Sequence, residues 1–229
     1  MVLSSKVTKE GLLIPRTIPI DLIMFDFDGT IADSLPAAIE AIQAMLKELG
    51  YPFKTKEEIG RHIGFGEIPL VSGSIGTDDP EKIKIAQEIY YQYNLKFIEE
   101  VLLYPQVKDM LEYFKDKIKI VISNKRDEFI KRILENHEID RYFAEILGGD
   151  SAPCLKPDPC AIIDVLKKHK ISPDRALFIG DMIVDIETGK NAKVKTCAVT
   201  YGFHTRNQLK SADPDFLIDD LIELKQLIE

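Results

Sequence analysis

Two carboxylates two positions apart, Asp26 and Asp28, close the apolar run Leu22-Ile23-Met24-Phe25 and are followed by Gly29-Thr30. Residues i and i+2 of an extended strand share a face, so both carboxylates can act on one group of atoms. Gly29 lets the backbone approach a ligand closely. This combination suits nucleophilic attack on a phosphoryl group. Asp26 would attack and form an acyl phosphate, while Asp28 would protonate the leaving alkoxide and then deprotonate the water that releases phosphate. For the pentapeptide by itself, a strand ending in a solvated acidic turn is the plainer alternative.

Three further polar clusters accompany it. Ser123-Asn124 follows the apolar run Ile118 to Ile122, and Gly180-Asp181 follows Arg175 to Ile179, with Asp185 four residues on. Leu155-Lys156-Pro157-Asp158 stands just before a helical pattern. In a parallel α/β sheet all of these lie at the carboxyl edge, where ligands bind. A carboxylate attacking a phosphate dianion needs cations to screen the repulsion, and Mg²⁺ held by oxygen ligands provides one. Asp26, the backbone carbonyl of Asp28 and Asp181 are the expected metal ligands, with Asp185 orienting a water or Asp181 from behind. Ser123, Asn124 and nearby backbone N–H groups can donate to phosphoryl oxygens, and Lys156 can neutralise charge that spreads over them. Each cluster taken singly reads as a turn, a cap or a solvated loop. Their joint occurrence, in this order and at these places, points to a site.

The elements that must position these groups follow from periodicity. Strand-like runs at Ile20 to Phe25, Ile118 to Ile122, Arg175 to Ile179, Val194 to Val199 and Phe216 to Ile218 alternate with helical patterns. One helix carries Phe129, Ile130, Ile133 and Leu134; another carries Ile162, Ile163, Val165 and Leu166 after an Asp158 cap and Pro159. The expectation is an α/β fold: a core whose parallel sheet is covered by helices on both faces. The stretch between the first two strands is helical throughout. Leu35, Ala38, Ile39, Ile42, Met45, Leu46 and Leu49 form one stripe, with Ser34 as its cap, Pro36 in its first turn and Gly50 as its stop. A second stripe opens at Asp79-Pro80 and runs through Ile83, Ala86, Tyr90, Tyr93, Phe97 and Val101. These predict a small all-helical lobe over residues 33–102, inserted into a core made of 1–32 and 103–229. Pro105 opens a helix that returns the chain to that core.

Bulk properties exclude other classes. The 229 residues carry a formal net charge of -8 with no dense basic block, which speaks against a nucleic-acid binder and leaves a small phosphorylated metabolite as the expected partner. No segment approaches the roughly 18 apolar residues of a membrane span, and Leu12-Leu13-Ile14 is too short for a signal-peptide core. Residues 1–19 read as a short extension ordered in part. Cys154, Cys160 and Cys197 cannot all pair within one chain; a reducing, cytoplasmic setting is the simpler expectation, and their spacing lacks a zinc pattern. Oligomeric state is not legible.

The four clusters, as Asp26-Phe27-Asp28-Gly29-Thr30, Ile122-Ser123-Asn124-Lys125, Leu155-Lys156-Pro157-Asp158-Pro159 and Gly180-Asp181-Met182-Ile183-Val184-Asp185, resemble the motifs of the haloacid dehalogenase superfamily in their order. The segment Phe143 to Pro159, with Gly148-Gly149-Asp150-Ser151, is similar to its phosphoglycolate-phosphatase branch. The resemblance implies a Rossmann-like core, a small mobile helical cap formed by the insertion at residues 33–102, Mg²⁺ and an aspartyl-phosphate intermediate. Ser123 stands where that branch often has Thr, and both carry the hydroxyl. Asp28, absent from the dehalogenases, argues for phosphoryl transfer. The glycine-containing segment Ile59 to Gly66 resembles the loop by which such caps select substrate, which makes Arg61, and after it His62, candidates for contacting a substrate carboxylate or second phosphate. A phosphomutase with the same intermediate is the nearest rival to a phosphatase. A signalling receiver would put its phospho-acceptor and acidic metal ligands on different strands, and a catalytically silent relative would have lost a motif residue.

Overall fold

The computed structural model describes residues 6–7, 13–14 and 17–229. Its strands are β1 (Lys6–Val7), β2 (Leu13–Ile14), β3 (Leu22–Phe25), β4 (Ala32–Asp33), β5 (Leu102–Leu103), β6 (Ile118–Ile122), β7 (Glu145–Leu147), β8 (Ala176–Gly180), β9 (Lys195–Val199) and β10 (Phe216–Ile218). Its α-helices are α1 (Leu35–Glu48), α2 (Lys56–Gly60), α3 (Glu67–Ile75), α4 (Pro80–Phe97), α5 (Val107–Tyr113), α6 (Asp127–Asn136), α7 (Cys160–His169), α8 (Ile183–Asn191), α9 (Arg206–Ser211) and α10 (Leu224–Leu227). β1 and β2 pair antiparallel, and the rest of the expected N-terminal extension up to residue 16 lies outside the described residues.

All four side chains of β3 are buried because the strand is central and covered on both sides. The six-stranded sheet runs β10-β9-β8-β3-β6-β7, and every pairing in it is parallel. Ile23 and Phe25 point into one core with Val107, Met110 and Leu111 of α5 and Phe129, Ile130 and Ile133 of α6. Leu22 and Met24 point into the other, with Ala161, Ile162 and Val165 of α7. This alternation is the period of two acting on a doubly covered strand. The chain leaves β3 toward β6 on one side and returns to β8 on the other, so the strand order reverses beside β3, where open α/β sheets form a ligand crevice.

The helical lobe has a core of its own. Ile39, Ile42, Met45 and Leu46 of α1 pack with Ala86 and Tyr90 of α4, closed by Ile59, Leu70, Val71 and Ile75. Asp79 caps α4 by accepting from the amides of Glu81 and Lys82. The stretch is not wholly helical, however: β4 pairs with β5, Ala32 to Leu103 and Asp33 to Leu102, as a two-residue ribbon where the chain enters and leaves the lobe.

Local expectations shift at several points. Ser34 precedes α1 but gives it no side-chain cap: its backbone is already helical, at φ -93° and ψ -5°, and its hydroxyl is turned to Asp28, to which it donates. Val101 falls beyond α4, on the far side of the short 3-10 turn Ile98–Glu100. α7 starts at Cys160, and the Asp158 carboxylate accepts from that residue's amide at 2.9 Å. β7, a three-residue edge strand, has no signal strong enough to be found by periodicity. Cys154 and Cys160 form a disulfide, leaving Cys197 free in the core, a pairing the sequence does not announce.

Candidate active site

The carboxyl ends of β3, β6 and β8 and the loop before α7 converge on a cavity of about 290 Å³, whose far wall is supplied by the helical lobe. Asp26, Asp28, Ser123, Asn124, Lys156 and Asp181 all line it. Asp26 leaves β3 with its amide still in the sheet, donating to Ile179 O at 2.8 Å. Its carboxylate is buried and meets Lys156 Nζ at 2.7 Å; the same ammonium meets Asp185 Oδ1 at 2.6 Å. Asp185, fully buried in the first turn of α8, accepts from the amide of Met182 at 2.9 Å. Asp181 is held by the Thr30 hydroxyl at 3.1 Å and the Phe203 amide at 2.6 Å.

The electrostatics follow from burial. Desolvation pushes the Asp26 carboxyl up to about 6, with Lys156 opposing and Asp185 adding to the shift. Burial, followed by the charges of Asp185 and Asp26, holds Asp181 well above the ordinary carboxylate range. Desolvation works against the Lys156 ammonium, but Asp185 and Asp26 outweigh it and keep it firmly protonated. Asp26, Asp181 and Asp185 bring carboxylate oxygens within 4.8 Å of one another. Three buried carboxylates, only two of them bridged by the Lys156 ammonium, are an under-compensated acidic cluster of hard oxygen donors, the chemistry that binds a divalent metal ion. The donor set therefore fits a cation, and Gly29 makes room for it. At φ +78° Gly29 has the left-handed backbone glycine favours, and a Cβ there would stand 2.2 Å from Asp181 Oδ2.

Asp28 points away from this cluster. Its carboxylate, one-third exposed to the cavity, meets Lys125 Nζ at 3.0 Å and accepts from Ser34. The two carboxylates of the first motif thus face different partners although they share a strand end.

Asn124 is placed differently from its expectation. Its Oδ1 accepts from the Lys156 amide at 2.9 Å, and its Nδ2 donates to Lys156 O at 3.1 Å and to Gly64 O at 2.9 Å. The amide is spent on protein backbone, so the side chain positions Lys156 rather than meeting phosphate. Arg61 and His62 are not brought to the cavity. Arg61 is exposed after α2, and the His62 ring lies against Gly73 of α3. The lobe instead presents Ile63, Gly64, Gly66, Glu67, Leu70 and Tyr90. Glu67 takes a bidentate ion pair from Arg126, with Nη2 to Oε1 at 2.7 Å, and Gln87 supports it at 2.8 Å. Lys125 and Arg126 were visible as the residues after Ser123-Asn124, but nothing in their spacing says which carboxylates they meet.

A family model described as haloacid dehalogenase-like hydrolase matches residues 23–199, from the first strand of the sheet through the fifth. The chain belongs to this family. It is 32% identical over 219 residues to a phosphoglycolate phosphatase of Vibrio parahaemolyticus, covering 91% of this chain and 96% of that protein. It is 35% identical over 211 residues to phosphoglycolate phosphatase 1 of Pseudomonas aeruginosa, covering 89% and 78%. The crystal structure of a predicted phosphoglycolate phosphatase from Haemophilus somnus superposes with a TM-score of 0.85 at 28% identity, covering 90% of this chain and 97% of that one. Membership in this hydrolase family, together with these relatives, makes the chain a phosphoric monoester hydrolase. No helix among the described residues is long and apolar enough to cross a membrane.

Proposed function

We propose that this haloacid dehalogenase-like hydrolase is a cytoplasmic, Mg²⁺-dependent phosphatase of a small phosphomonoester, 2-phosphoglycolate or a compound of similar size, acting through an aspartyl phosphate on Asp26. The observation that carries the proposal is the separation of Asp26 from Asp28. One carboxylate lies among the buried acidic groups with Lys156, and the other faces the cavity with Lys125 and Ser34.

Asp26, Asp181 and Asp185, with the Asp28 backbone carbonyl, are the groups that would hold the ion. Bound there, Mg²⁺ supplies positive charge that offsets repulsion between carboxylate and phosphate. Asp26 attacks phosphorus as the carboxylate. Lys156 donates toward the phosphoryl oxygens from its place between Asp26 and Asp185, and Ser123 lines the same end of the cavity. Asp28, on the leaving-group side, gives its proton to the departing alkoxide and takes one back from the water that hydrolyses the acyl phosphate.

Residues 33–102 act as a cap that selects the leaving group. Support comes from the contacts between the two parts: Asn124 to Gly64, Arg126 to Glu67, and Gly64 itself, whose Cβ would lie 2.6 Å from the Met182 sulfur. The cavity of about 290 Å³ matches a small ester. The names of the relatives favour phosphoglycolate within that class.

Release of inorganic phosphate from a panel of phosphorylated metabolites, ranked by kcat/KM, tests the proposal. Activity should need Mg²⁺, vanish with EDTA, and fall by about 10⁴-fold or more in Asp26→Asn. Sugar-phosphate isomerisation without phosphate release would sink the hydrolase assignment, and retained turnover in Asp26→Asn would sink the nucleophile.

A further inference from the structure

Cys154 and Cys160 bracket Lys156. Their disulfide closes the segment Cys154-Leu155-Lys156-Pro157-Asp158-Pro159-Cys160 into a ring, with a sequence separation of 6 and a Cα–Cα distance of 6.1 Å. Lys156 projects inward from this ring to Asp26 and Asp185 and is buried. The rest of the ring faces outward. Leu155 is 40% exposed, Asp158 is exposed, and both cysteines are half-buried. A thiol or disulfide reagent can therefore reach the sulfurs without entering the catalytic cavity.

The two ends of the ring differ in firmness. Cys160 is the first residue of α7, whose face of Ala161, Ile162, Val165 and Leu166 is buried against the sheet. Cys154 lies in the irregular stretch after β7, which is tied by turn contacts such as Ala152 N to Gly148 O and Gly149 N to Lys125 O. The disulfide thus fastens a loop to a fixed helix start, with the reacting lysine between. On its other side the Lys156 backbone is held by Asn124 alone of the side chains described. Cys197 is fully buried in the core away from this loop and takes no part.

We propose that Cys154 and Cys160 are a thiol–disulfide modification site, and that its oxidised form positions Lys156 for phosphoryl binding. The inference rests on the phosphatase assignment for its consequence but not for its chemistry. The oxidant is a low-molecular-weight disulfide, RSSR. One cysteine thiolate attacks it and expels one RS⁻, forming a mixed disulfide. The second cysteine thiolate attacks the protein sulfur, forms the Cys154–Cys160 bond and expels the second RS⁻. Two protein thiols and RSSR thereby become one protein disulfide and two RSH.

The test treats the intact protein with oxidised glutathione or with dithiothreitol. Thiol titration after denaturation should count one thiol in the first case and three in the second. Reduction should lower Tm by roughly 4–8 °C, from the constraint of a short ring in a chain of this size. It should also weaken inhibition by orthophosphate and lower kcat/KM for p-nitrophenyl phosphate by about tenfold, within the roughly 10²-fold that a 1 Å misplacement can cost. Cys154→Ser and Cys160→Ser should each match the reduced enzyme and ignore reductant, while Cys197→Ser stays sensitive. Hydrogen exchange across residues 152–160 should rise on reduction. Three thiols after oxidation, or a disulfide whose reduction leaves both exchange and phosphate inhibition unchanged, would overturn the proposal. If neither redox form hydrolyses any phosphomonoester, the phosphatase assignment fails, and thiol count and exchange still decide the clamp.

Discussion

Replacing Asn124 by Ala separates a phosphate-binding role from a positioning one. The side chain makes three hydrogen bonds, at 2.9, 3.1 and 2.9 Å, to Lys156 N, Lys156 O and Gly64 O. Each contributes about 1 kcal/mol net, and the Lys156 amide left without a partner beside a buried side chain costs about another 1 kcal/mol, so the loss is roughly 3–4 kcal/mol. For a chain of this length that lowers Tm by roughly 6–16 °C. Because two of the bonds fix Lys156, kcat/KM should fall by about tenfold to a hundredfold even well below Tm. Asn124→Asp sharpens the test. It keeps an acceptor for the Lys156 amide but turns a carboxylate oxygen toward two carbonyls, so it should be no better than Ala. The assay pairs calorimetry with phosphate-release kinetics at a temperature where all variants are folded. A variant with unchanged Tm and only a raised KM would show the amide contacting phosphate directly, and would refute the positioning argument.

Gly29→Ala should abolish activity and Mg²⁺ binding. Its Cβ would stand 2.2 Å from Asp181 Oδ2, which is pinned by Thr30 and Phe203 and cannot yield; wild-type metal affinity by calorimetry would refute this. Asp215 tests the fold's pH dependence. Burial raises its carboxyl, but Lys195 and the Thr196 amide at 3.0 Å outweigh this and hold it below the usual carboxylate value near 3.8. A depressed carboxyl stabilises the folded state above its unfolded pKa, and that contribution is lost as pH falls through the folded value. Asp215→Asn should therefore cost about 1 kcal/mol at pH 7, a small figure because the pair is about one-third exposed, with the gap in Tm closing below about pH 4. A gap that persists unchanged to about pH 3 would remove Asp215 from the account.

What was legible in the chain, and what was not, divides along a physical line. Asp26, Asp28, Ser123, Asp181 and Asp185 could be placed at one edge because apolar runs of strand length end just before them, and a parallel sheet brings all such ends together. That argument uses only backbone direction and residue type. It does not say what a side chain meets once there. Asn124 has the same credentials as Ser123, yet its amide turns to the Lys156 backbone, a partner 32 residues on that is set by where the loop before α7 lies. Ser34 is a sound helix cap by type, yet the Asp28 carboxylate, brought within reach by the turn of β4, takes its hydroxyl. Arg61 has the right charge, but α2 is a five-residue helix, too short for periodicity to say which side faces the core. Glu67 and Arg126, on the wall that Arg61 was expected to supply, lie 59 residues apart and recognise one another only when the lobe is seated. The pairing of Cys154 with Cys160 belongs to the same class, since three cysteines leave the choice open until the loop folds around Lys156. These outcomes depend on which partner the folded loops bring within reach, information that residue type and local spacing do not carry. For Asn124 the buried Lys156 backbone prevails, because a hydrogen bond out of water is costly to leave unmade. The chemistry of the site is thus written in residue types at strand ends, while its positioning is written in contacts between loops.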